Sequence, residues 1–159
     1  MYHHEPAGWI CPFCQLARGE ETSLSGQADL IHRDAEVIAF MSIDGMEGHE
    51  GHVLVVPVAH YENVFDLPPE LGAPLQRVVR RVARAMKAAY RCDGISVLQN
   101  NEPGGGQDVW HYHAHVFPRY AGDRFRRAPW ARMPASERRA RAAMLREAMA
   151  ALDIDDAPV

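Results

Sequence analysis

The sequence predicts an α+β protein with a mostly antiparallel sheet of five strands, one long helix and a C-terminal helix. Two observations support this class: five short apolar segments are mostly joined by short links, and only one long amphipathic segment lies between two of them. A doubly wound parallel sheet would require helices between most successive strands. With 159 residues, 47% of them hydrophobic, the chain can bury one core, so we expect a single domain over residues 1–159.

The first half of the chain predicts a short helix and three strands. Residues 12–19 are expected to form the helix, which leads into a polar loop. Residues 28–32 and 36–43 are rich in apolar residues and flank a short polar turn, which predicts a hairpin. A glycine-rich loop then precedes residues 52–57, an apolar run typical of a buried central strand.

The second half predicts two helices and two strands. Residues 71–90 carry apolar side chains at helical spacing, with a basic face that we interpret as solvated rather than as a nucleic acid surface. Residues 95–99 form the next predicted strand, and the last strand follows a glycine-rich turn. After Arg119 the chain is expected to be mostly irregular until a helix over about 136–152, capped by Ser136.

Three histidines alternate with apolar residues in the last predicted strand. Because side chains of a strand alternate between its faces, His111, His113 and His115 are expected on one face, and Pro118 is expected to end the strand. A buried imidazole has two nitrogens that need partners, so three such rings in a row are costly without a ligand. This pattern predicts a metal, a substrate or a reaction at that face.

A run of three glycines, Gly104, Gly105 and Gly106, precedes this strand. Glycine allows backbone N–H groups to approach an anion closely, and such concave turns bind phosphate. A flexible hairpin loop is the alternative interpretation of the same residues.

Two of the three cysteines, Cys11 and Cys14, have the spacing at which thiolates share one zinc ion. They supply half of a tetrahedral site, and since no second such pair exists, histidines are the candidates for the rest. A thioredoxin-like redox pair is the alternative, but the residues around it give little sign of the strand and helix it needs. The odd cysteine count argues against a disulfide framework.

Charge and hydropathy limit the classes of partner. Residues 1–76 hold twelve acidic and two basic groups, whereas residues 77–159 hold nine acidic and fifteen basic groups. This imbalance favours a phosphate-bearing small molecule over nucleic acid, although solvated helix faces account equally well for most of the basic charges. No apolar run approaches the roughly twenty residues of a membrane span. We therefore expect a cytoplasmic protein with no membrane or nucleic acid partner.

Taken together, these motifs resemble the histidine triad (HIT) family of nucleotide hydrolases and transferases. The resemblance covers about residues 9–120, and residues 118–123 further resemble the dinucleoside polyphosphate hydrolase branch. The matching positions are Cys11, Cys14, residues 40–44, 51–57 and 65–68, Asn100, Gly105, Gln107, Val109 and residues 111–118. The family fold would be the α+β fold predicted above, with the C-terminal helix as an extension.

The resemblance implies covalent chemistry on the α-phosphate of a purine nucleotide. His113 would be the nucleophile that forms a nucleotidyl-histidine, and His115 would hydrogen-bond to the phosphoryl oxygens or the leaving group. Negative charge would be neutralised by Asn100, Gln107 and the backbone amides of the glycine turn, Gly105 and Gly106. Asp44 would accept from the ribose hydroxyls, although a turn residue before Gly45 is the alternative for it.

The resemblance also implies a zinc site and an assembly. Matching zinc-containing members, and the related galactose-1-phosphate uridylyltransferases, gives the ligands Cys11, Cys14, His52 and His111, with His49 and His60 as alternatives for one histidine. Four protein ligands leave no open position, so this zinc would be structural. A homodimer is implied as well, and Phe40 and Ile43 are suggested for the apolar base pocket.

Two residues depart from the family pattern, and two other functions stay open. Ala114 replaces a bulkier apolar residue, which is a packing change. Asp108 stands where many members have serine or threonine, and its carboxylate near the substrate would repel phosphate, favour a basic leaving group or point away. A non-catalytic purine nucleotide-binding or regulatory module would use the same pocket, and an open-site zinc held by all three histidines is a third interpretation.

Overall fold

Five strands form one antiparallel sheet in a computed structural model of the chain, which describes residues 2–48 and 51–155. The spatial order is β1-β2-β4-β6-β5, and every neighbouring pair is antiparallel. The strands of this sheet are β1 (Leu30–Arg33), β2 (Val37–Met41), β4 (Val53–Pro57), β5 (Gly94–Gln99) and β6 (Ala114–Arg119). The predicted fold class is therefore confirmed.

Two long helices, α2 (Gly72–Tyr90) and α3 (Ala135–Asp155), pack against one face of the sheet and against each other. The stripe predicted for the first helix is buried, because Leu75, Val78, Val79, Val82 and Met86 face the sheet. Helix α3 starts one residue before the expected range and continues to Asp155, and its buried positions include Ala142, Leu145 and Met149. No helix within residues 2–48 and 51–155 is both long and apolar enough to cross a bilayer.

The other face of the sheet is covered only in part, by the short helix α1 (Pro12–Ala17). Phe13 and Leu16 of this helix pack against Phe40 and Leu54 in the two central strands. Both faces of β2 and β4 are therefore covered, which explains why every residue in these two strands is buried. The uncovered part of this face, beside α1, is where the histidines lie.

A second, two-stranded sheet was not predicted. It consists of β3 (Asp44–Met46) and β7 (Trp130–Arg132), with Asp44 opposite Arg132 and Met46 opposite Trp130. The chain between Arg119 and α3 is mostly irregular, as expected, but residues 130–132 form β7. Strands of three residues are too short to show an alternating pattern, so only their pairing in space reveals them.

The last strand also begins later and ends later than predicted. Regular pairing starts at Ala114, so His111 and His113 precede the strand, and it continues through Pro118 to Arg119. Pro118 is opposite Ile95 of β5, and the pairing of β6 with β4 stops at Val116. The proline lies where the sheet has a neighbouring strand on one side only, which is the place where a missing N–H is tolerated.

We predict that Arg138→Ala destabilises the protein by about 3–5 kcal/mol, because it leaves the buried carboxylate of Asp29 without its cation. Arg138 Nη2 lies 3.1 Å from Asp29 Oδ2, and the two side chains are only 5% and 1% exposed. The same guanidinium donates to the carbonyls of Leu24 and Met133, so it fastens the start of α3 to the chain before β1. The free energy of unfolding in urea measures the effect. Arg139→Ala, at the exposed neighbouring position, is the control and should change that free energy by less than about 0.5 kcal/mol; equal losses in both variants would contradict the prediction.

Candidate active site and metal site

A cavity of about 440 Å³ opens on the sheet face that α1 covers only in part. Its size is in the range of small-molecule sites. One wall is apolar, and the floor and rim carry histidines, hydroxyl groups and carboxylates. The lining residues are Pro12, Phe13, Leu16, Thr22, Leu24, Ser25, Phe40, Ser42, Ile43, Asp44, His52, Leu54, Gly106, Asp108, Val109, His113, His115 and Trp130.

His113 is held in a single tautomer at this cavity. Its Nδ1 lies 2.7 Å from the carbonyl oxygen of His111, so Nδ1–H donates there and Nε2 keeps a free electron pair. Phe13 packs edge-on against the ring, and the side chain is buried. Burial lowers the pKa of His113 below the ordinary value, so the ring is neutral near pH 7. A neutral imidazole with a bare, fixed nitrogen is a competent nucleophile.

His115 and His52 form a chain of hydrogen bonds that also fixes tautomers. His52 Nδ1 lies 2.8 Å from the carbonyl oxygen of Asp44, so Nδ1–H must donate and Nε2 must accept. His115 Nδ1 lies 2.9 Å from His52 Nε2 and is therefore the donor of that pair. His115 Nε2 is then a bare acceptor; it is buried and has no hydrogen-bond partner in the described structure.

The pKa values of these two rings support the neutral state. Burial lowers the pKa of His52 to about 4, although its bond to the Asp44 carbonyl opposes the shift. Burial, together with the neighbouring His113 and His52, lowers the pKa of His115 to about 2. The ring centroids of His113 and His115 are 4.7 Å apart. The cavity floor thus offers two bare imidazole nitrogens side by side, each aligned by a backbone carbonyl, one directly and one through His52.

A separate cluster of four metal-type ligands consists of Cys11, Cys14, His60 and His111, whose ligand atoms lie within 4.8 Å of one another. His111 Nδ1 is 3.3 Å from Cys11 Sγ and 3.6 Å from Cys14 Sγ, and His60 Nδ1 is 3.3 Å from Cys14 Sγ. Sulfur and nitrogen ligands of one tetrahedral zinc ion are about 3.6 Å apart, given the usual bond lengths. The four residues therefore fit zinc.

Both histidines of this cluster point Nδ1 toward the cysteine sulfurs, and their Nε2–H groups donate to other acceptors. His111 Nε2 lies 2.9 Å from the carbonyl oxygen of Pro57, and His60 Nε2 lies 2.9 Å from Glu5 Oε2. Such partners fix the tautomer that a metal needs. Burial raises the pKa of the Cys11 thiol to about 12, so its thiolate requires a cation beside it.

The glycine turn does not have the predicted geometry of an anion cradle. The N–H groups of Gly105 and Gly106 donate within the turn, to the carbonyls of Glu102 and Pro103. Gln107 is buried, and its amide donates to the carbonyls of Glu62 and Val109 while its oxygen accepts from the N–H of Glu102.

In this conformation the N–H groups of these three residues have partners inside the protein, and their contact with a charged substrate stays a prediction. Gln107 holds the turn to the loop that follows β4, through Glu62. Asn100 lies next to the turn. Its Nδ2 would be 3.9 Å from a Cβ atom added to Gly106.

Residues 25–122 match the sequence profile of the HIT domain. The chain belongs to the HIT family. Protein hit of Bacillus subtilis is 36% identical over 116 residues, which cover 72% of this chain and 75% of that protein. An adenylylsulfatase of Arabidopsis thaliana is 28% identical over 113 residues, or 71% of this chain and 54% of the relative. The crystal structure of a Zn-bound histidine triad family protein from Mycobacterium smegmatis superposes with a TM-score of 0.77 at 31% identity, covering 92% of this chain and 97% of that one.

The zinc-type site predicted from the HIT resemblance is confirmed, with one correction to its ligands. His60, and not His52, accompanies Cys11, Cys14 and His111. His52 cannot serve both sites, because its two nitrogens are bonded to Asp44 and His115 on the cavity side. His49, the other alternative ligand, lies outside the described residues.

Asp44 contributes two groups to the site, and only its carboxylate was predicted from the sequence. Its backbone carbonyl orients His52, and its carboxylate lies at the cavity, 2.9 Å from the guanidinium Nε of Arg132. Arg132 and the cavity-lining Trp130 belong to β7, beyond the residues that match the HIT domain. Trp130 is 55% exposed, which for a large aromatic side chain at a cavity mouth indicates a contact surface. In the sequence, the one indication that Trp130 and Arg132 belong to the site is that an aromatic and a basic residue occur together in a segment without regular periodicity.

The remaining predicted residues of the site lie at its apolar wall and its rim. Phe40 and Ile43, suggested for a base pocket, both line the cavity. Asp108 is 85% exposed, and its Oδ1 lies 4.0 Å from His113 Nε2. The carboxylate therefore faces the free nitrogen of the nucleophile candidate instead of pointing away.

We predict that His60→Ala lowers the zinc content of the purified protein well below one ion per chain and also lowers its melting temperature, because one ligand of four is lost. His52→Ala should retain zinc, since His52 belongs to the cavity. Elemental analysis by mass spectrometry, after dialysis against a weak chelator, gives the stoichiometry of both variants. The two histidine-to-alanine changes control for each other, and zinc loss confined to His52→Ala would refute the ligand assignment.

Proposed function

We propose that this HIT protein is a nucleotide hydrolase, or a nucleotidyl transferase, that acts on the α-phosphate of adenosine-type nucleotides through a covalent nucleotidyl-His113. The observation that carries the proposal is the pair of bare imidazole nitrogens on the cavity floor: His113 Nε2 on a buried ring, and His115 Nε2, which is itself buried without a partner, both held in a fixed orientation. The adenylylsulfatase relative, which is named for cleavage of an adenylyl compound, supports the same bond class. Dinucleoside polyphosphates and nucleoside phosphoramidates are the substrate classes considered.

In the first step, His113 Nε2 attacks the α-phosphorus. The N–P bond forms as the bond from phosphorus to the leaving group breaks, and the leaving group departs with the electron pair. The positive charge that develops on the imidazole is shared through Nδ1–H with the carbonyl of His111, which already accepts that hydrogen bond at 2.7 Å. The acceptor is in place before the reaction, so little reorganisation is needed.

In the second step, water releases the nucleoside monophosphate. The water oxygen bonds to phosphorus, the N–P bond breaks, and its electron pair returns to His113 Nε2. The attacking water donates a hydrogen bond to His115 Nε2, because Nδ1 of that ring is occupied by His52, and the proton that the water loses passes to solvent. Neutral His115 thus accepts hydrogen bonds at Nε2. To donate to phosphoryl oxygens, as the HIT resemblance implies, the ring would need a second proton. An anionic phosphate beside the ring would favour that protonation.

The nucleoside part of the substrate fits the remaining surfaces of the cavity. Phe13, Phe40 and Ile43 provide an apolar wall on which a purine base can stack. The Asp44 carboxylate is 42% exposed at the same cavity and can accept from two ribose hydroxyls. Arg132 already pairs with one of its oxygens, which orients the carboxylate.

Asp108 favours leaving groups that carry positive rather than negative charge. Its exposed carboxylate lies 4.0 Å from His113 Nε2, close to the place where the reacting phosphoryl group and its substituents would lie. A polyphosphate leaving group would meet like charge there, whereas the protonated nitrogen of an amine leaving group would be attracted. We therefore infer a preference for phosphoramidates, whose nitrogen takes a proton from solvent before it leaves as an amine.

The zinc site is proposed to be structural. Cys11, Cys14, His60 and His111 supply four ligands, which complete a tetrahedron and leave no position for water or substrate. When bound, the ion would hold the N-terminal segment and α1 against the loop that follows β4. An open-site zinc held by the three triad histidines is not supported, because His113 and His115 turn toward the cavity.

A cytoplasmic homodimer is part of the proposal. Strand β5 is the last strand of the sheet order, and two of its apolar side chains are exposed, Val97 at 49% and Leu98 at 37%. An apolar edge strand of this kind invites pairing with another copy of the chain. The small-molecule partner would be the purine nucleotide alone.

We predict that wild-type protein, mixed briefly with an adenosine phosphoramidate and quenched with acid, gains the mass of one adenylyl group. His113→Ala should show no adduct and should lose turnover by about 10⁴-fold or more, because the nucleophile is removed. Intact-protein mass spectrometry detects the adduct, and His32→Ala, a histidine outside the cavity that pairs with Asp34, is the control. Binding of purine nucleotide with neither adduct nor turnover would favour the non-catalytic nucleotide-binding or regulatory module.

We predict that Asp108→Ser and Asp108→Asn both raise kcat/KM for a diadenosine polyphosphate relative to that for a phosphoramidate. Removing one exposed charge about 4 Å away is worth about 1 kcal/mol, which corresponds to about a fivefold change in this ratio. The two specificity constants, measured for each variant at the same ionic strength, give the ratio. If the serine variant changes it and the asparagine variant does not, the size of the side chain and not its charge sets the preference.

A further inference from the structure

We propose that Glu5 is an outer-sphere partner of the zinc site, and that it ties an N-terminal strap, residues 2–5, to metal binding. The strap and the metal would then stabilise each other. This inference rests on the zinc occupancy proposed above and is independent of the proposed hydrolysis.

The first observation is the pairing of Glu5 with the ligand His60. Glu5 Oε2 lies 2.9 Å from His60 Nε2, while His60 Nδ1 faces Cys14 Sγ at 3.3 Å. An imidazole can present a bare Nδ1 to a metal only if Nε2 carries the proton, and the carboxylate selects that tautomer by accepting it. Through the ring, the negative charge also makes Nδ1 a stronger donor toward a cation.

The two histidine ligands differ in this respect. His111 is fully buried, and its Nε2 bonds to the neutral backbone carbonyl of Pro57 at the end of β4. His60 is 36% exposed, lies in the loop after β4, and is oriented by a side chain from a segment 55 residues earlier in the chain. The geometry of His60 therefore depends on the position of the strap far more than the geometry of His111 does.

Contacts on either side of Glu5 keep the strap in place. The backbone N–H of His4 donates to Glu62 Oε1 at 2.6 Å, and His3 Nδ1 lies 3.1 Å from the other oxygen of the same carboxylate. The buried Asn63 donates to the carbonyl of Tyr2 at 2.7 Å. The strap thus lies along residues 60–63, the loop that carries the zinc ligand, and His60, Glu62 and Asn63 bond to successive parts of it.

The strap also reaches the loop before the cavity. His4 Nε2 lies 3.1 Å from Glu102 Oε1, and the backbone N–H of Glu102 donates to Gln107, whose amide in turn donates to the carbonyl of Glu62. A segment that closes over the zinc ligand is therefore continuous, through hydrogen bonds, with the turn at the rim of the cavity. Linkage requires that a strap that strengthens zinc binding is itself held more firmly when zinc is bound.

The affinity for zinc tests the first half of the proposal. The full-length protein is loaded with zinc, one ion per chain is verified, and zinc is then competed away with a chromophoric chelator. Glu5→Ala should weaken zinc binding by about 10-fold to 100-fold, the usual effect of losing an outer-sphere partner of a ligand. Glu5→Gln, which keeps an acceptor oxygen without the charge, should lie between that variant and the wild type.

Glu147→Ala is the matched control, because Glu147 is an exposed glutamate of α3, which packs on the face of the sheet opposite to α1 and the cysteines. It should leave the zinc affinity within twofold of the wild type. A Glu5→Ala affinity within twofold of the wild type, or an equal loss in Glu147→Ala, would overturn the proposal. A protein that never binds zinc would refute the proposed zinc occupancy instead, and the loading step reveals this outcome separately.

Hydrogen exchange tests the second half, the coupling of the strap to the metal. The N–H of His4, bonded to Glu62, should exchange slowly in zinc-loaded wild type and at least about tenfold faster after zinc removal or in zinc-loaded Glu5→Ala. The N–H groups of the central strands β2 and β4 serve as internal reference and should stay protected. Equal protection of His4 with and without zinc would refute the coupling even if the affinity of Glu5→Ala is reduced.

Discussion

The structure depends on one constraint: the N–H group of each buried imidazole must have a hydrogen-bond acceptor. Four rings meet it in the same way: one nitrogen donates its proton to a fixed acceptor, and the other nitrogen carries no proton. Backbone carbonyls of Pro57, His111 and Asp44 receive the protons of His111, His113 and His52, and His52 receives that of His115. A buried N–H without an acceptor would cost about 1–3 kcal/mol, so these acceptors decide which nitrogen of each ring keeps the proton.

The fold explains why those acceptors are available. Regular pairing of β6 begins only at Ala114, so the residues just before it are not part of the ladder, and the carbonyl of His111 is free to accept from a side chain. The carbonyl of Asp44 stands at the start of β3, and that of Pro57 at the end of β4. The carbonyls that orient the rings therefore come from strand ends and irregular backbone, where the main chain still has hydrogen-bonding capacity.

Sequence reasoning could predict the fold class, the three histidines and the cysteine pair, because the spacing or periodicity of residues indicates each of them. It could not decide between His52 and His60 as the fourth ligand, since spacing along the chain does not tell which histidine returns to the cysteines. His52 lies at the edge of β4 on the cavity side, whereas His60 lies in the loop that passes α1. Only the path of the chain after Pro57 separates them.

Other residues show a related limit. The HIT resemblance assigned Gln107 to the substrate, and in the structure its amide holds the glycine turn to its neighbours; an amide can fill either role, and the sequence does not separate the two. Arg132 and Trp130 reach the cavity only through a pairing of two three-residue strands. That pairing depends on how residues far apart in the chain meet, which no local pattern contains.

His111 connects the two sites. Through it, a bound metal would affect the proposed chemistry at His113 although the metal would take no part in the reaction. Its side chain belongs to the cysteine cluster, and its backbone carbonyl holds the proton of His113. Because the ring is fixed on both nitrogens, by the cluster and by Pro57, the backbone of His111 has little freedom to turn, and the acceptor for His113 is fixed with it. The tautomer of the proposed nucleophile, His113, is thus set by a residue whose own position is set by the metal-type cluster. Two residues further on, the same stretch enters β6, where pairing with β4 and β5 takes over and positions His115.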